Sequence, residues 1–209
     1  MDEHEPGGGR HSAEYWDDRY SGEQVWSGNP NETLVAEVAD LEAGRVLDVG
    51  CGEGADSVWL AGRGWQVTAL DISLNAVERT RSEAAVAGVH VEGVAAGLLD
   101  APLAPGSFDL VSAMYPALRR TPSREAEQRL LDLVAPGGRL LVVHHADVDR
   151  EHALQRGFDP DDYLSPADVL ALGSEQGWVV EKDERRARVP VGGAGAHHKD
   201  DLVVRLRRP

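Results

Sequence analysis

The 209-residue sequence contains a single cysteine and no long apolar run. Cys51 has no partner for an internal disulfide, which favours a reducing compartment and predicts a cytoplasmic protein. No apolar stretch approaches the roughly 20 residues that a bilayer span requires. The first residues also lack the basic start and apolar core of a secretory signal, so we expect neither export nor membrane association.

The sequence also has few basic residues compared with acidic ones. The chain has 36 Asp and Glu against 21 Lys and Arg, a formal net charge of −15. Since nonspecific affinity for nucleic acid depends mainly on clustered Lys and Arg, this balance argues against a nucleic-acid partner. The length corresponds to about one domain, and the sequence leaves both a monomer and a homodimer open.

Short apolar runs alternate with amphipathic segments from residue 45 onwards. The runs predict five strands, at Arg45–Val49, Gln66–Leu70, Val89–Val94, Phe108–Ala113 and Arg139–Val143. Helical periodicity between them favours a parallel sheet with helices on both faces. Residues 178–188 and 202–207 predict two more strands, antiparallel to each other because their connection is too short for a helical crossover. The sequence thus predicts an α/β fold with a doubly wound, seven-stranded sheet, mostly parallel with an antiparallel last strand.

Two helices carry recognisable start signals. Asn29 followed by Pro30 predicts a capped helix, and Thr121 predicts the start of the helix before strand 5. Residues 1–30 are predicted to be a flexible tail followed by an arm rich in aromatic side chains. Residues 31–209 are predicted to form a single domain.

A glycine-rich loop, residues 50–54, follows the first strand directly. Glycines let the backbone turn sharply and approach a ligand, and Asp71, after the next strand, can accept hydrogen bonds from ribose hydroxyls. A dinucleotide and a cationic nucleoside both fit this pattern. Asp48 would repel a pyrophosphate but attract a cation, and Glu53 in the loop favours the same choice. A nicotinamide-dependent oxidoreductase and a non-catalytic ligand-binding protein remain alternatives.

Several motifs resemble those of the class I S-adenosylmethionine-dependent methyltransferases. Val46–Gly54 resembles motif I, and Thr68–Ser73 resembles motif II. Phe108–Val111 is similar to the strand-4 motif, and Leu133–Gly138 to the turn before strand 5. The resemblance covers about residues 25–145. It implies a Rossmann-like fold, S-adenosylmethionine as the cofactor, and methyl transfer by in-line displacement.

The N-terminal arm indicates which branch of this family the chain resembles. Tyr15–Tyr20 and Trp26–Pro30 are similar to segments of the small-molecule branch near the tellurite-resistance and thiopurine methyltransferases. In that branch an N-terminal segment covers the cofactor and the substrate. The resemblance therefore implies a lid and a small-molecule acceptor, methylated on sulfur, nitrogen, oxygen or another chalcogen.

The resemblance also implies cofactor-binding residues at the ends of the first four strands. They are Trp26, Asp48, Val49, Gly50, Cys51, Gly52, Gly54, Asp71, Ile72, Ala96, Gly97, Leu98 and Ala113. One position departs from the family pattern, because Gly97 stands where an acid usually accepts from the adenine amino group. Backbone groups of residues 96–98, or the side chain of Asp100, are expected to compensate.

The acceptor is expected where open α/β sheets bind ligands, at the carboxyl ends of the strands. The residues predicted to bind it are Tyr20, Met114, Tyr115, His144, His145, His197 and His198. The candidate catalytic residues are His145, His144 and Tyr115, the histidines because imidazole titrates near neutrality. Neighbouring strand residues face opposite sides, so only one of the first two histidines is expected to reach the site unless the strand has ended. Solvated loop histidines remain an alternative, and a metal is not expected because a third-ligand pattern is missing.

Overall fold

The structure, a computed structural model, describes residues 12–155, 157–188 and 198–209. Within these ranges seven strands form one sheet in the order β3-β2-β1-β4-β5-β7-β6. The strands are β1 (Arg45–Val49), β2 (Gln66–Asp71), β3 (Val91–Ala95), β4 (Phe108–Met114), β5 (Val134–His145), β6 (Val179–Ala187) and β7 (Asp200–Arg207). Among them, β7 runs antiparallel to both of its neighbours and the other pairs are parallel. The predicted mixed seven-stranded sheet is confirmed.

Helices cover both faces of this sheet. They are α1 (Ala13–Arg19), α2 (Glu32–Val38), α3 (Ala55–Gly62), α4 (Leu74–Val86), α5 (Glu125–Leu133), α6 (Arg150–Gln155) and α7 (Pro166–Glu175), with a 3-10 turn at Pro160–Asp162. On one face α2, α3 and α4 bury Leu34, Leu60 and Ala84 in an apolar core. On the other face α5 and α7 bury Leu130 and Leu172. In the described ranges no helix has the length and hydropathy needed to cross a bilayer.

The start of α2 differs from the prediction. The helix begins at Glu32, after Asn31 rather than after Asn29. The side chain of Asn31 makes no capping bond, because its amide and its backbone N–H both donate to Asp56, each at 2.7 Å. The asparagine therefore ties the arm to the helix that follows the glycine loop.

Two further boundaries are corrected near strand 5. The helix predicted from Thr121 begins only at Glu125, because Arg124 before it adopts a left-handed conformation with φ 56°. β5 begins at Val134 rather than Arg139, and a register shift in its pairing with β4 accommodates the extra residues. The strand also continues through both of its final histidines.

The arm, residues 12–31, packs against the start of α4. The hydroxyl of Ser73 donates to a carboxylate oxygen of Asp17 at 2.6 Å, and the side-chain amide of Asn75 donates to the carbonyl of the same residue at 2.9 Å. Arg79 on α4 donates to the carbonyl of Gly22. Residues 1–11 of the predicted tail, which extended to residue 12, lie outside the described residues, and the division between arm and domain stays a prediction.

Candidate functional site

A cleft of about 1330 Å³ lies at the carboxyl ends of β1, β4 and β5, next to the start of β7. One end is lined by the glycine loop and the first turn of α3. The other end is lined by the residues that follow β4, by the end of β5 and by the residues between β6 and β7. The topology thus brings the glycine loop and most of the predicted acceptor residues into one space.

The glycine loop makes a sharp turn between β1 and α3. Gly50, Gly52 and Gly54 have φ of 72°, 51° and 87°, a region that favours glycine. The backbone N–H groups of Gly50 and Cys51 donate to the carbonyl of Leu70 at 2.7 and 3.1 Å, which ties the loop to β2. A Cβ on Gly50 would meet no atom within 4 Å, since this residue faces the cleft. The loop therefore presents its backbone to a ligand.

Asp71 holds the loop in place from behind. One carboxylate oxygen accepts from the backbone N–H of Gly52 at 3.0 Å, and the other accepts from that of Ser73 at 2.9 Å. Burial raises the pKa of Asp71, while these two hydrogen bonds act in the opposite direction. The side chain thus fixes the geometry of the glycine loop.

Asp48 is buried beneath the loop, and a second acid, Asp56, stands near it. The hydroxyl of Ser57 donates to Asp48 at 2.6 Å. Burial, and then the charge of Asp56, raise the pKa of Asp48 to about 7. Burial also raises the pKa of Asp56. Both acids line the cleft, so a cation bound there would stabilise their ionised forms.

Glu53 has a different role from the one expected. Its carboxylate accepts from the backbone N–H groups of Val25 and Trp26, of which the Trp26 contact is the shorter at 2.8 Å. It also accepts from the guanidinium of Arg79 at 2.7 Å. These partners lie on the arm and on α4. The expectation that Glu53 favours a cationic ligand is therefore corrected, since its charge is paired with Arg79 and fastens the arm to the loop.

Two aromatic side chains of the arm cover the loop. The indole N–H of Trp26 donates to the hydroxyl of Tyr20 at 3.0 Å. A Cβ added to Gly52 would lie 3.1 Å from that hydroxyl and 3.3 Å from the indole nitrogen. Burial raises the pKa of Tyr20 and keeps its hydroxyl neutral. The arm is thus in direct contact with the glycine loop.

The departure at Gly97 has a structural counterpart. A Cβ on Gly97 would lie 3.3 Å from a carboxylate oxygen of Asp100. The backbone N–H of Asp100 in turn donates to the Gly97 carbonyl at 3.1 Å. A carboxylate therefore stands beside the position where the family pattern has one, supplied from three residues further along the chain.

The two consecutive histidines of β5 have different surroundings. His144 Nε2 lies 3.2 Å from the carbonyl of Pro116. Burial, followed by the neighbouring His145, lowers the pKa of His144 to about 4, so that its ring is neutral at pH 7. Both residues line the cleft, and the strand continues through them. The expectation that only one of the two rings reaches the acceptor stays a prediction.

His145 lies in a stack of three rings. The Tyr115 ring is stacked on one side at a centroid distance of 4.2 Å and the His198 ring at 3.9 Å. The guanidinium of Arg188 lies over the Tyr115 ring, 5.3 Å from its centroid. These residues join the ends of β4, β5 and β6 to the start of β7.

Asp201, on β7, is a functional candidate that sequence reasoning missed. It is fully buried and accepts from the hydroxyls of Thr33 at 2.8 Å and Tyr115 at 2.9 Å. Burial alone would raise the pKa of Asp201, but contacts with His145, Thr33 and Tyr115 lower it below the ordinary value. The antiparallel direction of β7, which predicted histidines at this edge, was also a signal for this acid.

The predicted cofactor residues fall into two groups. Those that line the cleft are Trp26, Asp48, Gly50, Cys51, Gly52 and Gly54. Those that do not line it are Val49, Asp71, Ile72, Ala96, Gly97, Leu98 and Ala113. Three of these, Val49, Leu98 and Ala113, are buried in the apolar core.

The predicted acceptor residues that line the cleft are Tyr20, Met114, Tyr115, His144, His145 and His198. His197 lies outside the described residues.

Comparison with known proteins supports the interpretation of the glycine loop as part of a methyltransferase domain. Residues 46–138 match the model of a family described as "Methyltransferase domain". Ribosomal RNA small subunit methyltransferase C of Chromohalobacter salexigens is 35% identical over 134 residues, 61% of this chain and 39% of that protein. Ubiquinone biosynthesis O-methyltransferase of Xanthomonas euvesicatoria is 39% identical over 105 residues, 49% of this chain and 44% of that protein. The chain thus spans less than half the length of either relative in these matches.

Solved structures resemble the chain over nearly its whole length. One, described as "Conversion of a Disulfide Bond into a Thioacetal Group during Echinomycin Biosynthesis", has a TM-score of 0.74 and 26% identity, covering 94% of this chain and 92% of that one. The N-methyltransferase NodS of Bradyrhizobium japonicum, in complex with S-adenosylhomocysteine, has a TM-score of 0.70 and 20% identity, covering 95% and 99%. At that identity, the NodS likeness shows the fold.

Residues 46–138 therefore match a methyltransferase domain family, and the sheet has the Rossmann-like order of that fold. These matches agree over this segment with the predicted class, an S-adenosylmethionine-dependent methyltransferase. The narrower prediction, a place near the tellurite-resistance and thiopurine branch, stays a prediction.

Proposed function

We propose that the chain transfers a methyl group from S-adenosylmethionine to a small-molecule acceptor by in-line displacement. The observation that carries this proposal is the continuity of the cleft, which joins a glycine loop with two buried acids to a wall of aromatic and imidazole residues. A sulfonium cofactor fits the first end because it is cationic and carries no pyrophosphate beside Asp48. When bound, it supplies both the methyl group and the leaving group.

At the cofactor end the protein supplies backbone and carboxylates. We assign the backbone of residues 50–52 to the amino-acid part of the cofactor. Asp71, with Ile72, is assigned to the ribose from the resemblance, although neither residue lines the cleft. Residues 96–98, with the carboxylate of Asp100, are assigned to the adenine. The Gly97 position supports this assignment, since the Asp100 carboxylate lies 3.3 Å from where its Cβ would be.

At the acceptor end, Tyr20, Met114, Tyr115 and His144 are assigned to the walls of the site. His145 is assigned to the proton that an O–H, S–H or ring N–H acceptor loses. His144 is less suited to this role, because a pKa of about 4 makes it a weak base at neutral pH. Tyr115 is also less suited, since its hydroxyl donates to Asp201 and burial raises its pKa.

A small acceptor is favoured over RNA, although two relatives are named for ribosomal RNA. The net charge of −15 opposes binding to a phosphate backbone. The rim of the cleft carries further acids, including Asp147, Asp149 and Asp161. The relative named for ubiquinone biosynthesis and the structure described for a disulfide conversion both concern small molecules. Small oxygen and sulfur acceptors are therefore the first to test.

The arm is proposed to act as a lid over this cleft. Tyr20 and Trp26 cover the glycine loop, and Glu53 fastens the backbone beneath them. A closed arm excludes water and holds the acceptor in line with the methyl group, which is the main protein contribution to such a displacement. A cytoplasmic location remains the expectation from the single cysteine.

Calorimetry and a product assay test the proposal. We expect S-adenosylmethionine and S-adenosylhomocysteine to bind and NAD not to bind. Turnover is then measured as homocysteine released after coupled hydrolysis, with thiophenol, catechol, a heterocyclic amine, tellurite, selenite and a ribosomal RNA fragment as acceptors. Binding of NAD alone would favour an oxidoreductase. Failure of both adenosyl ligands to bind at about 1 mM would refute the proposal, and turnover only with RNA would refute the small-molecule acceptor.

A further inference from the structure

We propose that Asp201 is the positioning residue of the acceptor end, because it holds His145 with a proton on Nδ1 so that Nε2 takes the proton of the acceptor. The acceptor is then a proton-bearing group, such as a phenol, a thiol or a ring N–H. This inference rests on the proposed function and adds to it the class of acceptor and a residue that does not touch the reacting atoms.

The two oxygens of Asp201 are used differently. Oδ2 accepts from the hydroxyls of Thr33 on α2 and Tyr115 after β4. Oδ1 lies 3.6 Å from Nδ1 of His145 and 3.3 Å from Nε of Arg188. Within the described ranges, this buried Oδ1 has no hydrogen bond of good geometry. A buried carboxylate oxygen requires a donor, and a protonated Nδ1 supplies one after a small movement of the ring.

Arg188 offers the competing arrangement. Its Nη1 lies 3.5 Å from Nδ1 of His145, where it would donate to an unprotonated Nδ1 and leave the proton on Nε2. However, the same Nη1 lies 3.4 Å from the carbonyl of His198, and Nε of Arg188 faces Asp201. The guanidinium therefore has other acceptors, and a proton on Nδ1 of His145 gives Oδ1 a donor in addition to Nε of Arg188. With the proton there, the guanidinium of Arg188 keeps its contacts with Asp201 and the His198 carbonyl.

The ring stack limits how His145 can turn. Its ring lies nearly parallel to those of Tyr115 and His198, with interplanar angles of 26° and 12°. Rotation of the imidazole out of this plane would break both stacks. Nδ1 therefore stays on the side of Asp201, and Nε2 is the nitrogen assigned to the acceptor.

Within the described ranges, groups on four neighbouring elements set the charge around His145. Asp201 on β7 is negative, and Arg188 after β6 is positive and offsets it. Tyr115 is neutral, and His144 is neutral at pH 7. The ring of His198 stacks on the other side. When His145 gains a proton, the nearest negative charge is the carboxylate of Asp201, which already faces Nδ1.

The chemical step balances without a further reactant. The acceptor atom forms a bond to the methyl carbon, the carbon–sulfur bond breaks, and its electron pair stays on sulfur. The acceptor proton moves to Nε2 of His145. The resulting imidazolium is stabilised by Asp201 and later releases the proton to solvent.

Nitrogen NMR of ¹⁵N-histidine-labelled protein tests the positioning role without any acceptor. His145 signals are assigned by their loss in His145→Gln. We expect the Nδ1–H tautomer in the parent protein. In Asp201→Asn the ratio of Nδ1–H to Nε2–H should fall about tenfold, because a charged acceptor forms a stronger hydrogen bond than a neutral one. Asp201→Glu should restore part of this ratio.

Glu181→Gln is the matched control. Glu181 is also an acid in an arginine network, at 2.9 Å from Arg139 and 3.0 Å from Arg205, but it does not line the cleft. Its removal should leave the tautomer ratio unchanged. A parent protein with His145 in the Nε2–H form, or an Asp201→Asn protein with an unchanged ratio, would overturn the positioning role. Circular dichroism and S-adenosylmethionine calorimetry verify that each variant is folded.

Turnover with paired probes tests the class of acceptor. Catechol and thiophenol lose a proton on methylation, whereas dimethyl selenide does not. We expect turnover with the first two, with kcat reduced 10- to 100-fold in Asp201→Asn and changed less than twofold in Glu181→Gln. Turnover with dimethyl selenide alone, unaffected by Asp201→Asn, would overturn the proton-bearing class. Absence of turnover with all three would count against the proposed function and leave the NMR result to decide the positioning role.

Discussion

The affinity for S-adenosylmethionine should depend on pH through Asp48. This carboxyl is buried below the glycine loop, and its pKa of about 7 means that it is largely protonated under mildly acidic conditions. A sulfonium cation near it favours the ionised form, so binding must release the proton. Burial raises the pKa of Asp56 as well, which adds to the dependence in the same direction.

The size of the effect follows from the ionised fraction. With a pKa of about 7, roughly one Asp48 in ten is ionised at pH 6 and about three quarters are ionised at pH 7.5. The apparent dissociation constant scales inversely with the competent fraction. It should therefore be about eightfold higher at pH 6 than at pH 7.5. Affinity is gained as the pH rises through the raised pKa and lost as it falls.

Isothermal titration calorimetry in buffers of different ionisation enthalpy measures both the affinity and the proton released. Asp48→Asn keeps the shape of the side chain and an oxygen that accepts from the Ser57 hydroxyl, but it cannot titrate. The affinity of this variant for S-adenosylmethionine should therefore be lower and nearly independent of pH over this interval. An affinity for the parent protein that is unchanged or higher at pH 6 would refute the reasoning. So would an equally steep dependence in Asp48→Asn.

Three other substitutions test separate parts of the site. Asp71→Ala should abolish cofactor binding in calorimetry, because the Gly52 N–H loses its acceptor; binding like that of the parent would show that the assignment of this acid is wrong. Gly54→Ala should lower the free energy of unfolding by about 2–4 kcal/mol in urea titrations, since its Cβ would lie 2.8 Å from the Thr80 Cα. The control is Gly88→Ala, which has a similar φ but open space around it, and an equal loss there would contradict the steric argument. Glu53→Ala should release the arm, so that trypsin cleaves after Arg19 at least tenfold faster; unchanged cleavage would contradict the fastening role.

The sheet could be predicted because its signals are local. Each strand of the parallel part is a short apolar run bounded by a turn, and the short connection before β7 determines its direction. Helix starts were less accurate, because distant residues decide them. Asn31 binds Asp56 across 25 positions instead of capping its own helix, and the left-handed Arg124 delays α5. Neither effect has a signature in the neighbouring sequence.

The site was predicted in part for the same reason. Glycines and acids of the loop have fixed spacing, so Asp48 and Asp71 were found. The role of Glu53 and the position of Asp201 depend on contacts between segments far apart in the chain, 27 positions from Trp26 and 168 from Thr33. Spacing cannot show which distant N–H or hydroxyl a carboxylate will meet. Such residues emerge only once the topology has placed their partners.

The attachment of the arm to Glu53 has a thermodynamic consequence. Glu53 belongs to the same loop that is assigned to the cofactor, so the closed arm and the ordered loop stabilise each other. Linkage then requires reciprocity: the factor by which the cofactor favours the closed arm equals the factor by which the closed arm raises cofactor affinity. Residues that touch neither cofactor nor acceptor, such as Asp17 where it anchors α1 to α4, are therefore expected to raise the affinity for the cofactor.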